Sequence, residues 1–228
     1  MPLSIGVVIA AVALEEEVAQ GLTYLALAAV PPLAGLALAW LVYGARPALS
    51  LLVIPLFALA WAARGSLSGQ TAALALSALA CVSLGWAVAR VVPARWLKLG
   101  IYAMAAIDAW LVASDLLQSP NAVINTAAPA GGLPRLQFVS FGSALMGFGD
   151  LFVAATLGAL LASDRRLQLR GAAIAAVLCV GFDLLFFVVS ETPSTVPIAL
   201  TLAVLELCGS RSRVGDGSRQ LRAGSRSA

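Results

Sequence analysis

Residues 97–117 read LKLGIYAMAAIDAWLVASDLL, and residues 137–162 read QFVSFGSALMGFGDLFVAATLGALLA. Each stretch is long and apolar enough to cross a bilayer, a task that takes about 20 residues for ~30 Å of hydrocarbon. Each nevertheless carries an aspartate near its middle, Asp108 in the first and Asp150 in the second. An ionisable side chain at that depth costs roughly 2.5–3.5 kcal/mol even on a lenient insertion scale, so it marks function by default. Reading these two stretches as membrane helices decides the fold class.

The rest of the chain agrees with that reading. Of its 228 residues 61% are hydrophobic and only 11% charged, with a mean hydropathy of +0.97. Such a composition excludes an ordinary soluble domain and predicts an all-α, polytopic transmembrane bundle of seven to eight spans. Seven segments have the required apolar length: Leu22–Tyr43, Ala48–Ala63, Gln70–Val92, Leu97–Leu117, Gln137–Ala162, Gly171–Ser190 and Thr195–Cys208. An eighth, Leu3–Leu14, runs into Glu15-Glu16-Glu17 and has no basic residues before it. At 1.5 Å per residue it rises only ~18 Å, so it either spans obliquely or lies at the interface, and it is not a secretory signal. The chain divides into N-terminal scaffold helices (1–95), helices carrying the two aspartates (96–208) and a basic, disordered tail (209–228).

Charge sets the sidedness. Alternate loops hold Arg46, then Arg90, Arg95 and Lys98, then Arg165, Arg166 and Arg170, then the tail with its five arginines. Only Arg64 and Arg135 of the fourteen basic residues fall on the other side. By the positive-inside rule the tail is cytoplasmic, in a multi-pass protein of the cell membrane. The tail has no aromatic residues among its arginines, which favours lipid headgroups over nucleic acid as its neighbours. Three cysteines show no metal-like spacing, and histidine is absent. Histidine-based zinc sites and Ser–His dyads are thereby excluded, so hydrolytic chemistry here would fall to carboxylates, with no cofactor and no metal.

Depth follows from sidedness. Asp108 lies 11 residues beyond Leu97, and Asp150 lies 12 residues before Ala162, both counted from the cytoplasmic ends of their segments. Antiparallel neighbours would bring the two carboxyls to one level, and Pro197 reaches a similar depth from the last segment.

A mid-helix aspartate, then Gly147-Phe148-Gly149-Asp150, then a proline-broken start to the final helix together resemble the GxGD intramembrane aspartyl proteases of the presenilin and signal peptide peptidase type. The resemblance covers roughly Leu97 to Cys208. Ile107 stands where the family has a tyrosine before its first aspartate. The family's Pro-Ala-Leu is matched either by Pro197-Ile198-Ala199-Leu200, with one insertion, or by the place of Ser194-Thr195-Val196. The resemblance implies Asp108 and Asp150 as the catalytic pair. It further implies Gly147, Phe148, Gly149, Pro197, Ile198, Ala199 and Leu200 as the substrate-binding residues, and transmembrane or signal-peptide-like segments as substrates. The predicted orientation matches signal peptide peptidase, which implies type II substrates.

The chemistry asks for these groups. Two carboxyls sharing one proton let the ionised member deprotonate water while the protonated member polarises the scissile carbonyl. Glycines before Asp150 make room, either for close helix packing or for substrate backbone. Pro193 and Pro197 remove helical hydrogen bonds, and the freed backbone offers a place for an unwound substrate to pair.

Other readings of the same residues stand beside this one. The two acids also suit a proton-coupled transporter, with Asp183 of CVGFDLLFF as a third member, or a structural hydrogen-bonded pair. A prepilin-peptidase-like protease is a further alternative, though no Asp-x-Pro-Asn occurs in the expected helix. Asp115 reads as water-facing near the outer surface, Tyr102 as a packing residue, and Glu206 as reaching toward Arg211 or Arg213.

Overall fold

The computed structural model describes residues 2–114, 129–142, 144–184 and 192–208, with side chains from Glu17 onward except those of Val139 and Ala144. Asp115 and the tail beyond Cys208 lie outside the described residues, as does the end of the segment expected to reach Ser190. The molecule is mostly helical. Among the described residues, three helices are long and apolar enough to cross a membrane: Glu17–Leu41, Leu67–Val91 and Ala94–Ala113.

The first helix, α1 (Pro2–Leu36), runs straight on into a π-helical turn, Ala37–Leu41. Leu3–Leu14 and the first expected span are therefore one element rather than two. Pro31 and Pro32 sit inside α1, each removing an N–H from the helical ladder, and the wider π turn begins five residues after Pro32. A 3-10 segment, Pro47–Leu52, then leads into α2 (Val53–Ala62). Next come α3 (Leu67–Val91), capped by the Ser66 hydroxyl accepting from Gly69 N–H, and α4 (Ala94–Ala113).

The expected fifth span is not one helix. Residues Phe138–Phe141 (β1) and Ala144–Gly147 (β2) pair as an antiparallel hairpin, Phe138 opposite Gly147 and Phe141 opposite Ala144. Gly142 opens the tight turn at φ +61°, a backbone region that glycine enters without steric penalty. The helix α5 (Phe148–Leu160) starts only where the hairpin ends. The apolar run expected to be continuous helix holds Phe138, Val139 and Phe141, residues suited to a pleated strand, and hydropathy alone does not tell the two apart. Then follow α6 (Arg165–Asp183), whose start is capped by the Asp164 carboxylate, and α7 (Val196–Cys208).

Two apolar clusters hold the molecule together. Val30 and Ala34 of α1, Val53 and Ala60 of α2, and Ala72, Leu76 and Ala80 of α3 enclose Leu136 from the hairpin approach. Ile101 and Ala105 of α4, Val153 and Leu157 of α5, and Ile198, Ala199 and Leu202 of α7 form the second. The strongest packing in the molecule, α3 on α5, links the two clusters. Ser77, Cys81 and Gly85 repeat at four-residue intervals along one face of α3. Ser77 donates to Leu136 O at 3.3 Å and Cys81 to Phe148 O at 3.7 Å. A side chain at Gly85 would meet the backbone of Ala155 and Thr156 at 2.9 Å. The 1–95 and 96–208 portions thus interlock through α3.

Candidate active site

Asp108 sits on α4, three residues past the buried Ala105 that packs on α5 and α7. Its Oδ2 accepts two hydrogen bonds from one residue, the Thr195 backbone N–H at 3.0 Å and the Thr195 hydroxyl at 2.7 Å. Thr195 is almost fully buried, at 2% exposure. It immediately precedes α7, and its carbonyl accepts from Ile198 and Ala199 N–H, so its backbone forms the helix start. A hydroxyl residue in this position ordinarily caps its own helix; here the hydroxyl reaches across to α4.

Asp150 is not mid-helix. It occupies the third position of α5, where its Oδ2 accepts the Gly147 N–H at 3.2 Å. That bond is half of a capping box, and the glycine has no side chain to complete the other half. A carboxylate in a first helical turn also meets the positive end of the helix dipole. Ser194 and Asp108 both lie close enough to act electrostatically on the Asp150 carboxyl. The two acids are therefore near neighbours beside a bracket of two consecutive residues: Thr195 holds Asp108, and Ser194 lies near Asp150.

The remaining expected site residues separate into two groups. Gly149 is exposed, and a side chain built there would meet nothing within 4 Å. Gly147 is exposed as well, its missing side chain lying 3.4 Å from Asp150 Oδ2. The close-packing role expected of these glycines belongs instead to Gly85, while Gly149 borders open space. Phe148 faces away from that space and packs against the α1–α3 cluster. Pro197, Ile198 and Ala199 are buried in the interior of the helix packing, and only Leu200, at 41% exposure, reaches the surface. The substrate-binding role expected of Phe148, Pro197, Ile198 and Ala199 therefore does not fit their positions.

The backbone near the two prolines is also occupied. Val196 N–H donates to Pro193 O, and Thr195 N–H goes to Asp108. The open backbone lies on the hairpin. β1 packs beside α3, whereas β2 is an edge with Leu145 60% and Met146 42% exposed. A cavity of about 550 Å³ lies along the hairpin, lined by Arg64, Gln70, Phe138, Ser140 and Leu145. It does not include the carboxyls. The hairpin is tethered by Gln70, whose side-chain oxygen accepts the Gly142 N–H at 2.9 Å, and by Arg64, which bonds to Gly132 O.

Asp183 ends α6 in an exposed position and is not among the groups that act on Asp150. Glu206 pairs with Lys98 at 2.7 Å and accepts from Tyr102 at 3.1 Å; its expected partners Arg211 and Arg213 lie outside the described residues. Tyr102 accordingly packs in the α4–α5–α7 cluster and turns its hydroxyl away from Asp108. Ser194, Thr195 and the small face of α3 were not singled out from sequence as ligands or supports. The signal for α3 was there, in Ser77, Cys81 and Gly85 at i, i+4 and i+8, the spacing of a close helix contact.

Compared with protein-family profiles, with curated proteins and with solved structures, the chain finds no match.

Proposed function

We propose that the chain is a multi-pass membrane aspartyl protease that hydrolyses transmembrane or signal-peptide-like segments through Asp108 and Asp150. One observation carries this reading: Asp108 is held by Thr195 on a separate element, within electrostatic reach of Asp150 on a third. Two acids held within mutual influence, beside open space, form the minimal apparatus for activating water and polarising a peptide carbonyl. The ionised member takes a proton from water, the hydroxide attacks the carbonyl carbon, and the other member donates to the carbonyl oxygen. Collapse of the tetrahedral intermediate returns a proton to the leaving nitrogen.

The hairpin supports the same reading. α5 has 13 residues and rises ~20 Å, about two-thirds of the hydrocarbon. In a membrane-spanning arrangement the hairpin and Asp150 then lie within the bilayer. Unpaired strand edges are tolerated at that depth only where they line a wet cavity or pair with something. An unwound substrate segment laid along β2 would satisfy that edge and run directly toward Asp150.

In this reading seven segments cross the membrane, the shorter ones with help from flanking turns, and the basic loops and tail face the cytoplasm. Substrates are then of type II orientation. The test is reconstitution of the full chain in vesicles with a type II membrane peptide, beside Asp108→Asn and Asp150→Asn. Either substitution should lower cleavage ~10²–10⁴-fold, the usual contribution of a general acid or base. Wild-type protein that drives ion-coupled uptake and cuts nothing would assign the acids to transport.

A further inference from the structure

Thr195 approaches Asp108 with two donors on one oxygen. A backbone N–H can only donate, so the oxygen it faces is held as an acceptor in every protonation state. The Thr195 hydroxyl, 2.7 Å from the same Oδ2, adds a second, shorter bond from a residue sealed from water at 2% exposure. Across the site, Gly147 N–H does the same to Oδ2 of Asp150. Each carboxyl thus has one oxygen tied to protein backbone.

We propose that Thr195 is a positioning residue that pins Oδ2 of Asp108, leaving Oδ1 to carry the shared proton and to meet water. This role rests on the protease reading, in that a positioned Oδ1 matters for catalysis only if the pair is catalytic. Ser194, which adjoins Thr195, lies close enough to act on Asp150, so the segment that fixes the rotation of Asp108 also runs beside its companion. Pinning costs nothing at the moment of reaction, since the donors are already in place in the unliganded protein. The arrangement also explains why Thr195 does not cap its own helix.

The test uses the full chain in vesicles and compares wild type, Thr195→Val and Thr195→Ser. Valine keeps the shape and the backbone donor but removes the hydroxyl, and serine restores it. Loss of a hydrogen bond to a charged group predicts a kcat about tenfold to a hundredfold lower in Thr195→Val. KM should be unchanged within about twofold, and Thr195→Ser should return to near wild type. A purely structural role would not produce that split together with rescue. Infrared spectra of protein with isotope-labelled aspartate, assigned with Asp108→Asn, give a reading independent of cleavage. The Asp108 carboxylate band should move in Thr195→Val and stay in place in Thr195→Ser. Should Thr195→Val not accumulate folded, Thr195→Cys, with its weaker donor, makes the same comparison. An unmoved band, or equal impairment in the serine and valine variants, overturns the proposal. A band that moves as expected in a protein that cleaves nothing, wild type included, upholds the pinning and overturns the protease reading.

Discussion

At the scale of single residues, the two acids in apolar runs were visible in the sequence and their partners were not. Asp108 and Asp150 stand out because a carboxyl in an apolar run has to have a reason. Thr195 does not stand out, because hydroxyl residues near a helix start are ordinary caps. Its partner lies 87 positions away, and no local pattern reports such a pairing. The glycines before Asp150 were legible as small residues but not as to purpose, which depends on what faces them. Since Gly149 borders open space, Gly149→Val should leave thermal stability within about 0.5 kcal/mol of wild type, the range of surface substitutions. The same change should raise KM for a membrane peptide, as measured by steady-state cleavage. A large loss of stability in Gly149→Val would show instead that the position is packed.

At the scale of elements, the instructive error is the hairpin. A hydropathy window registers apolar length and is blind to whether the backbone is extended or coiled, so β1 and β2 passed as the first half of a span. Gly142 and the aromatic and β-branched residues ahead of it were the available hints. The same blindness left the N-terminal helices without a role. In the structure α3 is the template for the segment that carries Asp150, through Ser77, Cys81 and Gly85. Gly85→Val would drive a side chain into the Ala155–Thr156 backbone and should destabilise by about 1–3 kcal/mol, as overpacking does. Denaturant unfolding in detergent would register it. Gln70→Ala removes only the tether on the hairpin turn, so its effect on stability should be near 1 kcal/mol. Its effect on cleavage should be larger in KM than in kcat, because the acids keep their bracket.

At the scale of the whole molecule, the sequence correctly foretold a mostly helical, strongly apolar protein, because composition and segment length are global quantities that survive local misreadings. Among the described residues three helices meet the length and apolarity needed to span; the finer count of crossings depends on the broken elements, where helical length alone no longer decides. The ends of α4 and α7 are joined by Lys98, Tyr102 and Glu206, which brace the two helices that carry Asp108 and its bracket. Both charged side chains are about 40% exposed, so Lys98→Gln should cost less than about 1 kcal/mol. A double-mutant cycle with Glu206→Gln should return a coupling of similar small size, and a coupling of several kcal/mol would contradict a solvated pair. A last consequence follows from how tightly strand and helix are joined. Gly147 closes β2 and Asp150 follows three positions later, so the chain has no slack between them. One residue inserted there would swing the acid ~100° around the helix axis and point it away from its companion, whereas an insertion at the hairpin tip would leave it where it is. Length variation between relatives of this chain, when they are compared, should therefore collect at the tip and be shunned in the link.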